Sequence, residues 1–347
     1  MIEIDGSFGE GGGQVLRTAL SLSCHLKKSF RIFNIRAQRK KPGLQPQHLT
    51  CVRAAQLIAG AEIKGDFVGS SELIFNPDKA YGGHYRFDIG TAGSTSLVFQ
   101  TILLPLCFAE KPSGITITGG THVPWSPPFH YLKEVFLPVL KTMGIDVSLS
   151  IERWGFYPKG GGIISASIAA AGRAIKPISL EKRGEIKAVN GLSATGNLPS
   201  SIAERQRASA SEVLKTHGLR ADIGLLDAPC IGQGTFFFIV SEFENSTAGF
   251  SALGQRGKKA EDVGKEATEE FLEFFHSGAP VEKRLADQIV PYMALSKDTS
   301  SFITSRITMH LLTNIWVIEK FLDVKFEVSG KEGEIGKVVI RGRGSHG

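Results

Sequence analysis

The sequence predicts an α+β fold in which three copies of one β-α-β-α-β-β unit share the chain with a smaller inserted α/β segment. Three observations lead there. Alternating and helical hydrophobic periods recur in the same order along the chain. A histidine falls at a matching place in the second helix of each copy, and glycine-rich turns precede the first helix in two of them. Residues 184–279 fit none of the copies.

In the first copy a strand at 2–5 leads through a glycine run into an apolar helix over 14–26. A β-rich stretch follows at 30–36, then a second helix at 47–59 and a strand pair beginning at Ala61-Glu62-Ile63. The second copy reads strand 85–89, helix 94–108, strand 114–118 and helix 129–143, closing on Gly144-Ile145-Asp146-Val147. The third has helices at 284–294 and 308–321 around a strand at 301–303, followed by Asp323-Val324-Lys325-Phe326. His48 precedes Glu62, His130 precedes Asp146 and His310 precedes Lys325 by nearly equal intervals, which phases the copies. The remaining segment shows a strand at 186–192, a helix at 202–216, an apolar run at 234–240 and a helix at 261–276. Residues 1–183 and 280–347 are therefore expected to form a large repeat domain. Residues 184–279 would be a small domain inserted at a surface loop, where insertion is structurally cheap.

The chain has 347 residues, 42% hydrophobic and 21% charged, a balance that excludes a disordered polymer and allows a well-buried core. The longest apolar stretch, 97–109, is interrupted by Gln100, Thr101 and Pro105 and falls short of the roughly 20 residues a spanning helix needs. No basic stretch followed by an apolar run opens the sequence, so no membrane association or secretory signal is expected and a cytoplasmic location is the default. Cys24, Cys51, Cys107 and Cys230 form no C-x-x-C pair, which excludes a zinc ribbon and a dithiol redox motif. The net charge of +6 suits a polyanionic partner without singling one out.

Several stretches are able to carry chemistry. In Gly9-Glu10-Gly11-Gly12-Gly13-Gln14 the glycines serve a tight strand-to-helix turn as well as they serve a phosphate at a helix N-terminus. No Gly-Lys-Ser/Thr follows, so this is not a P-loop, and the dinucleotide-binding spacing is missing. Glu10 offers a carboxylate to a metal ion. The second turn, 90–96, has hydroxyl residues suited to capping a helix or to binding an anion. Arg36, Arg39, Lys40 and Lys41 lead into the helix carrying Gln47 and His48; they suit a solvated loop or a phosphate channel. Arg17 is either a phosphate ligand or a structural ion-pair residue. Pro124-Trp125-Ser126-Pro127-Pro128 is a stiff loop whose prolines are able to flank a planar ligand. Residues 157–162 read as a hairpin turn and 341–347 as a frayed basic tail. Spacing alone does not raise His310 above His48 or His130.

At these motifs the chain resembles the RNA 3′-terminal phosphate cyclase family. The matching stretches are 9–20, 36–43 with 47–50, 93–100, 155–162, 285–288 and 310–314, in family order over nearly the whole chain. The resemblance implies a large domain of repeats like the C-terminal domain of bacterial translation initiation factor three, with a smaller inserted domain. It implies a ligase-class enzyme that uses ATP and Mg²⁺ or Mn²⁺ to convert the 3′-phosphate of an RNA into a 2′,3′-cyclic phosphate. Carried over by motif, His310 is the adenylated nucleophile and Glu10 holds the metal. Gln100, Pro127, Phe250 and the run Arg284, Leu285, Ala286, Asp287 and Gln288 contact ATP. Arg17, Arg36, Arg39, Gln47 and His48 line the phosphate or RNA path. Arg284 stands where an aromatic residue or a histidine is expected against adenine. A guanidinium plane also stacks on a base, which keeps ATP binding and leaves base selectivity open.

Two alternatives belong to other classes. A branch of the same fold works in ribosome assembly as an RNA-binding or RNA-cleaving factor and is expected to lack the nucleophile that His310 supplies here. Enolpyruvyl transferases use related repeats but about twice as many.

Overall fold

The computed structural model describes residues 1–170 and 174–341 as a mixed α+β protein with four four-stranded sheets. The first sheet contains β1 (Ile2–Asp5), β2 (Phe30–Phe33), β3 (Glu62–Lys64) and β4 (Leu73–Asn76), with α1 (Gly13–Leu26) and α2 (Pro46–Ala59) between its strands. Its order is β1-β2-β4-β3; β1 and β2 are parallel and the other pairs antiparallel. The second sheet has β5 (His84–Asp88), α3 (Thr95–Cys107), β6 (Ser113–Gly119), α4 (Phe129–Tyr131), α5 (Leu137–Thr142), β7 (Val147–Arg153) and β8 (Gly162–Ile168). Its order, β5-β6-β8-β7, has the same sense of pairing.

The chain then makes β9 (Ser179–Leu180) and passes into a different arrangement: β10 (Ile186–Gly196), α6 (Ser200–Thr216), β11 (Asp222–Asp227), β12 (Gly234–Phe243), β13 (Thr247–Leu253) and α7 (Ala260–Ser277). This sheet runs β11-β10-β12-β13. It returns through α8 (Lys283–Met293), β14 (Ser300–Thr304), α9 (Met309–Phe321), β15 (Phe326–Ser329) and β16 (Gly336–Ile340). The last sheet, β9-β14-β16-β15, again has one parallel pair followed by antiparallel ones.

Local chemistry sets the helix ends. Ser94 Oγ accepts from Leu97 N at 3.3 Å, Thr308 Oγ1 from Leu311 N at 3.1 Å, and the buried Glu282 carboxylate from Arg284 N and Leu285 N at 2.7 and 2.5 Å. Pro46 opens α2, where Gln45 and His48 form a capping box. The helix expected over 129–143 is instead α4, a π turn over Leu132–Phe136 and α5. Pro138 has no N–H and its ring crowds the carbonyl four residues back, so the α ladder widens there. Two-residue β9 had no legible sequence signal. Of the expected basic tail, 342–347 lie outside the described residues.

One hydrophobic cluster spans the first, second and last sheets and reaches Phe236 and Phe238 on β12. A second joins Phe237 and Ile239 of the same strand to α6 and α7. Alternation along β12 thus serves two cores. Burying each such side chain contributes on the order of 1.5–3 kcal/mol.

Candidate active site

A cavity of about 800 Å³ lies where α1, α3 and α8 converge. Each helix turns toward it a face with the spacing i, i+3, i+4, i+7. These are Gln14, Arg17, Thr18 and Ser21 on α1; Leu97, Gln100, Thr101 and Leu104 on α3; and Arg284, Asp287, Gln288 and Pro291 on α8. His310 and Asn314 of α9 complete one end. The Pro124–Pro128 loop and Gly249, Ser251 and Leu253 of β13 form other walls. The volume suits a small-molecule ligand.

Polar contacts stitch the helices together. Gln14 Nε2 donates to Asp287 Oδ2 at 2.9 Å, and Gln100 Nε2 to Gln288 Oε1 at 2.7 Å. Thr18 Oγ1 donates to Asn314 Oδ1 at 2.6 Å, while Asn314 Nδ2 donates to the Asp287 carbonyl at 2.7 Å. Burial, reinforced by the Glu282 charge, pushes Asp287 up to about 8, so near neutral pH it is mostly protonated. The Arg17 guanidinium has no hydrogen bond or ion pair among the described residues, and burial lowers its pKa. It is a cation on the cavity wall.

His310 is half-exposed at the start of α9, and its Nδ1 lies 2.5 Å from Glu10 Oε1. A carboxylate only accepts, so Nδ1 is the donor, and in the neutral ring the lone pair falls on Nε2. Gly9 and Gly13 let the loop bearing Glu10 lie this close. A Cβ on Gly9 would meet Thr313 Oγ1 at 2.2 Å, and one on Gly13 would meet His48 Nε2 at 2.3 Å. Arg39 donates to the Glu10 carbonyl at 2.8 Å and stands 3.7 Å from its carboxylate. His48 is buried, and desolvation together with Arg17 and Arg36 lowers it to about 3. Gln47 Oε1 accepts from Ser94 N at 3.0 Å, tying the start of α2 to the second glycine-rich turn.

The structure therefore brings His310, Arg17, Gln100, Pro127, Arg284, Asp287 and Gln288 to one cavity. Glu10 and Arg39 lie at its His310 end, and Gln47 and His48 open α2 beside the two glycine-rich turns. The other expected residues are placed or engaged differently. Leu285 and Ala286 are buried on the opposite face of α8, because helical spacing turns 284, 287 and 288 to the cavity. Phe250 is buried against Phe271 and Phe274 of α7, since strand alternation gives the cavity Gly249 and Ser251 instead. Arg36 Nη1 donates to the Lys41 and Gly43 carbonyls at 2.6 and 3.1 Å, closing its own loop. Arg284 lines the cavity, but Glu270 of α7 holds its Nη2 at 2.7 and 2.8 Å.

Gln14, Thr18, Ser251 and Asn314 were not singled out from the sequence. A signal for the first two was present: with Arg17 and Ser21 they form a polar stripe at helical spacing in an otherwise apolar helix.

The fold and this site define a mixed α+β enzyme with a ligand-sized cavity, a free cation on its wall and an oriented histidine at one end. The profile of the RNA 3′-terminal phosphate cyclase family matches residues 8–328. Relatives named RNA 3′-terminal phosphate cyclase match along nearly their whole length. The one from Archaeoglobus fulgidus is 47% identical over 94% of this chain and 98% of its own. That from Methylococcus capsulatus is 44% identical over 99% and 97%, and that from Pyrococcus furiosus 43% identical over 98% of each. The chain belongs to the RNA 3′-terminal phosphate cyclase family. Among the described residues no helix is long and apolar enough to cross a membrane.

Proposed function

We propose that this chain is an ATP-dependent RNA 3′-terminal phosphate cyclase acting through an adenylated His310. One observation carries the reading: His310 stands at the end of the cavity with Nδ1 held by Glu10 and Nε2 open. In the first step Nε2 attacks the α-phosphorus of ATP, a P–N bond forms and pyrophosphate leaves. An oxygen of the RNA 3′-phosphate then attacks the same phosphorus, the P–N bond breaks and RNA-(3′)pp(5′)A forms. Finally the neighbouring 2′-hydroxyl attacks the RNA phosphate, loses its proton and expels AMP, leaving a 2′,3′-cyclic phosphodiester.

Gln100, Pro127, Arg284, Asp287 and Gln288 bind the nucleotide, and the unpaired Arg17 takes a phosphate. Protonated Asp287 adds no negative charge to a wall that receives a triphosphate. Arg39, Gln47 and His48 receive the RNA end. Among the described residues there is no cluster of three ligating side chains. Mg²⁺ and Mn²⁺ fit this donor set, since such cations bind through one or two carboxylates plus phosphates and water, and Glu10 supplies a carboxylate. The ion offsets charge on the phosphates.

We further infer that the three sheets sharing one strand order are copies of one unit and that 184–279 is an inserted domain. The strand order shared by those three sheets and the separate cluster around α6 and α7 support this.

The test is incubation with α-³²P-ATP and Mg²⁺ or Mn²⁺ without RNA. The expected product is an acid-labile, alkali-stable label, discharged by RNA ending in a 3′-phosphate, but not a 3′-hydroxyl, with formation of a cyclic end. An unlabelled protein with either metal overturns the reading and favours an RNA-binding role in ribosome assembly.

A further inference from the structure

Two of the three tryptophans have evident structural work. Trp154 is 3% exposed and stacks on His122 at 3.8 Å, and Trp316 stacks on Phe8 at 4.0 Å. Trp125 is 98% exposed, and no ring contact or hydrogen bond holds its side chain among the described residues. Its backbone is left-handed, with φ of 60°, a conformation that glycine adopts freely and a tryptophan does not. The folded chain thus keeps a large apolar ring in water on a strained backbone, and gains no internal contact from it.

Where the ring is placed gives the reason. Trp125 lies on the cavity wall, in a loop stiffened by Pro124, Pro127 and Pro128 and by Ser126 Oγ donating to the Val123 carbonyl at 3.1 Å. The root of the loop, Gly120, donates to the Gly93 carbonyl at 2.7 Å, and the next residue, Ser94, is the one held by Gln47. The loop therefore hangs from the turn that Gln47, a residue assigned to the RNA path, holds through Ser94.

We propose that Trp125 is a stacking platform for a nucleobase at the 3′ end of the RNA substrate. Aromatic rings bind successive bases with little regard to sequence, because every base has a π face. The nucleotide is already assigned other parts of the wall, Pro127 of this loop and Arg284, Asp287 and Gln288 of α8. A ring open on nearly all sides is left for a ligand that extends out of the cavity. The RNA chain must do so when its terminal phosphate meets His310. The assignment rests on the cyclase reading.

The test compares Trp125→Ala, Trp125→Gly and Trp125→Phe. An RNA oligonucleotide ending in a 3′-phosphate, added without ATP, is expected to quench tryptophan emission in the starting protein, and Trp125→Phe is expected to lose that component. KM for the RNA should rise roughly 5- to 150-fold in the Ala and Gly variants and stay near the starting value in Phe. KM for ATP and His310 labelling should be unchanged. Trp125→Gly, which releases the left-handed backbone, should melt no lower than the starting protein, a result that a structural role would not give. An unchanged KM for RNA in Ala and Gly overturns the proposal. So does quenching by AMP alone together with a raised KM for ATP, which would assign the ring to adenine. Failure of the starting protein to label with ATP would instead count against the cyclase reading, and RNA quenching would still report on the ring.

Discussion

His130 and His310 are each the second residue of a helix, α4 and α9, yet the molecule uses them in opposite ways. His130 Nδ1 lies 2.9 Å from His122 Nε2, in a nest of rings from Phe129, Trp154 and Phe236. Burial, with Lys133 nearby, lowers its pKa to about 4. His310 has a carboxylate on one nitrogen and open space at the other. Position in the helix is shared; what differs is the layer laid over it. Over His130 the strand β12 of the 184–279 segment contributes Phe236, and the histidine becomes core. Over His310 lies the glycine loop with Glu10, and the cavity is beside it.

The largest expected effect separates the two. His310→Ala should reduce cyclisation by 10³-fold or more, about what loss of a covalent nucleophile costs. His130→Ala should keep the labelling step and lower unfolding stability by about 1–3 kcal/mol through lost ring contacts, measured by urea unfolding. If His130→Ala abolished labelling while folded, the comparison would break.

A smaller loss is expected from Glu10→Gln, which leaves Nδ1 without its carboxylate. The labelling rate should fall on the order of 10²–10⁴-fold, as when an orienting carboxylate is neutralised in a catalytic triad. Rescue of the rate by raising the metal concentration would show Glu10 acting on the ion rather than on the imidazole.

The smallest effects are on the pH dependence of stability. His48 and His130 are held neutral, at about 3 and 4, against 6.5 in the unfolded chain. Their contribution is present above pH 6.5 and is lost as pH falls through 4 and then 3. A His48→Gln variant should lose less stability between pH 6.5 and 4 than the starting protein. Asp287 has the opposite sign. Its folded pKa is raised from 3.8 to about 8, so its contribution is present below pH 4 and is lost as pH rises through 8. Relative to the starting protein, Asp287→Asn should be more stable at pH 9 than at pH 5. Equal pH slopes in urea unfolding would contradict that sign.

Much of this was legible in the sequence. The helical period over 14–26 and the alternation over 114–118 place α1 and β6 to within a residue or so. Their spacing carries the information locally. The break inside 129–143 was missed although Pro138 marks it. β9 was out of reach, because two residues become a strand only by pairing with β14 across the intervening segment. The site divides the same way. His310 and Asp287 were legible through the family motifs, whereas the Glu10–His310 contact joins residues 300 apart and exists only after folding. Leu285, Ala286 and Phe250 lie off the cavity because a motif names a segment, and only helical or strand period says which of its side chains face the cavity.

The most direct test of the central claim is where the nucleotide becomes attached. After incubation with ATP and Mg²⁺ the protein would be digested at alkaline pH, and the peptides sequenced by mass spectrometry. The account predicts AMP on His310, in starting protein and His130→Ala alike. Adenylate on His48, on His130 or on any other residue would contradict it.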